Sequence, residues 1–213
     1  MTEHSTADTG AFTLQDSARR LGNYRWFELR MFEVVGSWTA TVPVLAAKAL
    51  FGATAPHFAW HGELLGDRLP ELRDMTPQNL TVPANEQLVT FVDALATPAT
   101  PATDAAIEQL VGLYRVVLPH LIATYSHHLD RCTPLADATV IRWLGIIVDD
   151  HVADWRRGNL LLQTLLHGDS DSDSDSAVRR AAMQHERLER LLIASSGVAG
   201  TGTLPRPDRE SHP

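Results

Sequence analysis

LGNYRWFELRMFEVV, residues 21–35, carries an apolar stripe with one acid at its centre. Relative to Glu28, the apolar residues Leu21, Tyr24, Met31, Phe32 and Val35 stand at −7, −4, +3, +4 and +7. At about 100° per residue these positions share one side of an α-helix. That side is wide enough to face a core, and Glu28 faces the core with it. A buried, unpaired carboxylate is costly, so Glu28 must lose its charge, pair or bind a cation. An Arg, Tyr114 or a His would satisfy it without any ligand. Glu33 falls on the opposite face beside Arg30 and is read as solvated.

Working outward, Thr13-Leu-Gln-Asp16 is a capping signal, and the first helix is placed at about 14–38. Residues 1–13 read as a disordered lead-in. A second helix is placed at 43–68 with Pro43 in its first turn, and Pro56 is expected to kink or divide it. Residues 70–103 form a long connection containing a short helix at 85–95. A third helix, 104–130, takes Asp104 as its cap and contains Pro119. A fourth runs from the turn at 133–137 to Leu166, with Gly168 ending it. No segment alternates with period two for long enough to make a strand. Four helices of this length with a long second connection predict an all-α four-helix bundle over 14–167. Beyond it, 168–176 is an Asp/Ser linker, 177–195 a short amphipathic helix and 196–213 a disordered tail. Met183, Leu188, Leu191 and Leu192 are the apolar members of that short helix.

The other ionisable groups aimed at the core are few. His57 and His61 lie four apart and share a helix face, a spacing that can chelate a metal. In the fourth helix Trp143, Ile147, Leu161 and Leu165 define the apolar face. Asp150 and Asp154 lie on it and His151 sits toward its edge. Arg157 or His57 could equally serve as simple partners for the two Asp. The third helix presents Ile107, Leu110, Tyr114, Val117, Leu121 and Tyr125, with no carboxylate at mid-height. Of ten His, only His57, His61 and His151 fall where chemistry could use them.

The chain has 213 residues and a formal net charge of −8, which suits one domain without the cationic surplus that nucleic-acid binding needs. A single cysteine, Cys132, excludes an internal disulfide framework and a cysteine-based zinc finger. It has no neighbouring base and is read as inert. The polar N-terminus lacks signal-peptide features, and Val42–Phe51, interrupted by Pro43 and Lys48, is too short to span a bilayer. A soluble, cytoplasmic protein is expected. Its partners would be a small-molecule ligand in the bundle core or a second copy in a homodimer, without nucleic acid or membrane.

Glu28-Leu-Arg-Met-Phe-Glu33, Gly36-Ser-Trp38, Ala59-Trp-His-Gly-Glu-Leu64 and Arg68-Leu-Pro-Glu-Leu-Arg73 resemble the ferritin-like superfamily, in particular actinobacterial-type ferritin-like domain proteins. The resemblance covers residues 14–166. It implies a four-helix bundle and, in members that keep a di-iron site, a Glu on each of two helices plus a Glu-x-x-His on each of the others. Glu28 matches a lone Glu and His61 a motif His, whereas Phe58 stands where the motif Glu belongs. The third helix has apolar residues at its carboxylate position. The fourth offers Asp150, His151 and Asp154 without a Glu-x-x-His.

An incomplete set makes iron storage the weakest expectation. Glu28, His57, His61 and Asp150 or Asp154 would instead hold one Fe, Mn or Zn ion. Alternatively Glu28, His61 and Asp150 would act as acid–base groups on a small molecule. A third expectation is a non-catalytic helical protein acting through oligomerisation or a partner, with a vestigial metal site.

Overall fold

The computed structural model describes residues 10–73, 75–97, 105–167 and 171–200. They are helical, with no strand among the described residues. The elements are α1 (Leu14–Thr41), α2 (Leu45–Gly66), α3 (Pro77–Leu80), α4 (Glu86–Ala96), α5 (Ala106–Val111), a π-helical turn (Gly112–Val117), α6 (Leu118–Leu129), α7 (Ala138–Leu166) and α8 (Asp171–Ala194). The α5–π–α6 run is continuous, so five long helical stretches, namely α1, α2, this run, α7 and α8, enclose one core.

Thr13 caps α1 as expected, its Oγ1 accepting from the Asp16 amide at 3.1 Å. Residues 42–44 turn the chain sharply, and α1 and α2 pack along their length. Gly62 permits the close approach, since a Cβ there would lie 2.8 Å from Leu29 Cδ2. On the other side α6 packs against α7, and α2 meets α7 across the core.

Several sequence expectations change. Pro43 precedes α2 rather than opening it, because the helix starts at Leu45. Pro56 does not divide α2, which is unbroken to Gly66. Pro56 and Gly52, whose carbonyl loses its partner, are both exposed, so water can satisfy that carbonyl. Pro119 is accommodated by the π turn just before it, where the Leu118 N–H bonds back to the Leu113 carbonyl. Phe32 is largely exposed although it joins the predicted stripe of α1. The core face of α7 is Val140, Leu144, Ile147, His151, Asp154, Gly158 and Leu162, rotated from the predicted Trp143, Leu161 and Leu165, which are half-buried.

The ends depart most. In the predicted lead-in 1–13, Phe12 is docked, with the Arg20 guanidinium 4.4 Å over its ring and His128 5.0 Å away edge-on. The predicted linker 168–176 is helical from Asp171. An acidic run suits a helix N-terminus, whose free N–H groups favour negative charge. Ala177, Ala181, Leu188 and Leu192 then bury one face of α8 against α4 and α5, while Met183 points outward. The predicted disordered tail 196–213 begins with an ordered turn, in which Val198 is fully buried. The lead-in's first nine residues, Asp104, Gly168 and the tail beyond Gly200 lie outside the described residues.

One helical run among the described residues, Ala106–Leu129, is long and apolar enough by length and composition to cross a membrane. Most of its residues are buried inside this molecule, as in a core helix.

Candidate functional site

Glu28 of α1, His61 of α2 and His151 of α7 meet at the centre of the core, all fully buried. Each offers one ligand atom within 4.8 Å of the others. Tyr125 of α6 donates its hydroxyl to Glu28 Oε1 at 2.7 Å. His151 Nε2 lies 3.0 Å from the same oxygen. The second oxygen, Oε2, faces His61 Nδ1 at 3.5 Å, and neither atom has a hydrogen-bond partner. His61 Nε2 reaches Asp150 Oδ2 at 3.2 Å on its other side. A carboxylate can only accept, so His61 donates from Nε2 to Asp150. In the neutral ring, Nδ1 is then a lone pair facing the lone pairs of Glu28 Oε2. Two acceptors face each other in a dry core, and either a proton or a cation relieves them.

The electrostatics agree. Burial would raise the Glu28 carboxyl, but His151 and His61 outweigh it and hold its pKa at about 2. Burial would lower His61, but Glu28 and Asp150 outweigh it and raise its pKa. The site therefore favours a carboxylate beside positive charge. Tyr125 is pushed up, first by burial and then by Glu28, so it remains a hydroxyl donor.

A second pair lies alongside. His57 Nδ1 donates to Asp154 Oδ2 at 2.7 Å, and Arg157 reaches Asp154 Oδ1 at 3.3 Å. The His57 and His61 rings are stacked with centroids 6.2 Å apart. The side chains of His57 and Asp150 are 35% and 32% exposed, so these two connect the buried groups to solvent. Three surface cavities, lined in turn by Arg115 and His120, by Phe12 and Arg68, and by Arg180 and Arg187, do not reach Glu28, His61 or Asp150.

Of the five residues proposed from sequence, Glu28, His61 and Asp150 come together. His57 and Asp154 form the separate pair just described, joined by Arg157. His57 turns its ring to Asp154 and not to Glu28, which removes it from the central donor set. His151, counted from sequence among the His that chemistry could use but placed at the edge of its face, joins the centre, and Tyr125 was missed. His151 stands four residues after Ile147 and three before Asp154, a spacing that places it on the same face. Trp143 and Leu161 had drawn that face to one side. Tyr125 was assigned to the apolar stripe of the third helix, but its hydroxyl partner, 97 residues away in sequence, required the fold.

Comparison with protein-family models, with curated proteins and with solved structures gave no match to this chain.

Proposed function

We propose that the chain is a ferritin-like four-helix bundle whose two-metal site has contracted to one metal, held by Glu28, His61 and His151. The observation that carries this reading is the buried pair Glu28 Oε2 and His61 Nδ1, 3.5 Å apart, which a cation would bridge in place of a proton. Two His and one carboxylate suit Fe(II), Mn or Zn. The surrounding positions support contraction. Phe58 lies three residues before His61 and Val148 three before His151, where a di-iron protein of this kind has Glu. On the same correspondence Tyr125 would stand at the remaining carboxylate position. Phe58 and Tyr125 flank His151, with ring centroids 5.5 and 5.9 Å away. A di-iron set does not fit these residues.

The ion would supply Lewis acidity or, as iron or manganese, one-electron chemistry. The chain's own residues prepare for it. Asp150 accepts from His61 Nε2 and so presents Nδ1 inward as a ligand, as second partners of metal-bound His commonly do. Tyr125 fixes the Glu28 carboxylate by its hydroxyl. Phe58 excludes water from one side. His57 and Asp150, half-exposed, mark the side from which a small organic substrate would approach. On this reading the chain is a one-metal protein, and a reaction on a small molecule would require the side marked by His57 and Asp150 to open, since the three cavities do not reach the cluster.

Elemental analysis of purified protein tests it. About one ion per chain is expected in wild type and in His57→Ala, and little in His61→Ala or His151→Ala. Metal content no greater in wild type than in the last two variants would overturn the assignment. It would instead favour a non-catalytic helical protein with a vestigial site. The hydrogen bonds from Tyr125 and His151, which already occupy Glu28 Oε1, support that second reading.

A further inference from the structure

A cleft of about 400 Å³ opens between the π turn, α6 and the end of α8, away from the buried cluster. Its volume lies in the range of small-ligand sites, roughly 300–1,000 Å³. Val116, Pro119 and Leu192 give it an apolar wall, and Arg115 supplies a guanidinium. Among the described residues Arg115 has neither a hydrogen bond nor an ion pair. It belongs to the π turn, whose irregular ladder places Tyr114 in the core and Arg115 at the cleft; such turns frequently mark functional sites.

The opposite side is a closely fitted turn. Ser196 and Gly197 have φ of 58° and 73°, the left-handed region. A Cβ on Gly197 would lie 2.5 Å from the His120 ring, so the turn sits against that imidazole. The Val198 amide donates to His120 Nε2 at 3.0 Å, and burial lowers the His120 pKa to about 4. His120 is therefore uncharged near neutral pH and adds no second cation. Glu189, also on the wall, lies 3.4 Å from His185. The cleft thus holds one cation, Arg115, and one acid, Glu189; a ligand's single negative charge is assigned to Arg115 and its short hydrocarbon body to the apolar wall.

We propose that this cleft binds a small amphiphilic monocarboxylate, its carboxylate on Arg115 and its hydrocarbon against Val116, Pro119 and Leu192. Octanoate is the probe. Titration of the full chain, followed by calorimetry and by amide chemical shifts, should show saturable binding centred on the π turn and residues 192–198. Octan-1-ol, of equal chain length without the charge, should bind about tenfold more weakly, as should octanoate to Arg115→Met. Octanoate affinity of His61→Ala should equal that of wild type, which separates this cleft from the proposed metal. No saturation at millimolar octanoate, equal affinity for octan-1-ol, equal binding by Arg115→Met, or loss in His61→Ala would each overturn the proposal.

Discussion

The imidazoles of His61 and His151 stand edge to face, with centroids 4.8 Å apart and planes at 90°, and each has a ring nitrogen within 3.5 Å of the Glu28 carboxylate. Two perpendicular rings converging on one carboxylate leave a position between them that repels further lone pairs. A divalent cation filling it should stabilise the folded chain and not the unfolded one. At a hundredfold excess over its dissociation constant the gain is about 2.7 kcal/mol, or roughly 5–10 °C in melting temperature for a chain of this size. Thermal melts with added Zn(II), Mn(II) or anaerobic Fe(II) should show this rise in wild type and not in His61→Ala. An equal rise in both proteins would place the cation elsewhere.

Asp150 and Tyr125 touch the ligands without belonging to them. Asp150→Asn weakens the acceptor for His61 Nε2–H and frees the ring to turn. Tyr125→Phe removes the 2.7 Å hydrogen bond to Glu28 Oε1 and leaves the packing volume nearly unchanged. Each should weaken metal binding by about 10–100-fold while the helical circular dichroism stays that of wild type. Competition against a chelator of known affinity measures this directly. Unaltered affinity in both variants would mean that the two residues only fill the core.

Glu28 was legible because Leu21, Tyr24, Met31 and Val35 surround it at helical spacing, and His61 because it follows His57 by four residues with Phe58, Leu64 and Leu65 beside it. The face of α7 was harder. Its true core includes Gly158, His151 and Asp154, which no hydropathy scale scores as interior, while Trp143, Leu161 and Leu165 are large, apolar and half-buried. Summing hydrophobicity therefore turned the helix toward Trp143 and demoted His151 to an edge. The partners of Asp154 were anticipated by charge, as His57 and Arg157, but the pairing of His61 with Asp150 depends on how α2 and α7 are registered. That register is set by packing, as at Gly158, and is not written in either helix. The Asp/Ser run misled for a different reason: its composition favours solvation, but tertiary contacts from Ala177 onward hold the helix that it begins.

Gly158 tests the register itself. A Cβ there would lie 2.1 Å from the Tyr114 ring, inside the core. Tyr114 donates to or accepts from Thr54 Oγ1 at 3.0 Å and has no room to retreat without breaking that bond. Gly158→Ala should therefore destabilise by about 1–3 kcal/mol or more, despite the better helix propensity of Ala. Gly145 lies in the same helix with nothing within 4 Å of its would-be Cβ. Gly145→Ala should gain roughly 0.5–1 kcal/mol. Denaturant unfolding of the two variants should move in opposite directions; a shared direction would contradict the packing of α7 on the π turn.

The pH dependence of stability without metal follows from four groups of two kinds. Burial lowers His120 to about 4, and burial with Arg20 lowers His128 to about 4, both from 6.5. The unfolded chain binds these two protons first, so their contribution is fully present above pH 6.5 and is lost as pH falls toward 4. Allowing for partial solvent access, the two together cost on the order of 4 kcal/mol over that interval. Glu28, held at about 2 against an ordinary 4.5, removes more stability as pH falls from 4.5 toward 2. His61 has the opposite sign. Its folded pKa is raised above 6.5, so its contribution is complete below 6.5 and is lost as pH rises through the raised value. Stability of metal-free protein should consequently peak near pH 6.5 and fall on both sides. Replacing both His120 and His128 with Gln should flatten the limb between pH 6.5 and 4.5 and leave the alkaline limb in place. His61→Gln should flatten only the alkaline limb. Unfolding midpoints measured across pH 4–9 decide the matter, and an acid limb that survives the His120/His128 double replacement would show that these two buried imidazoles do not control it.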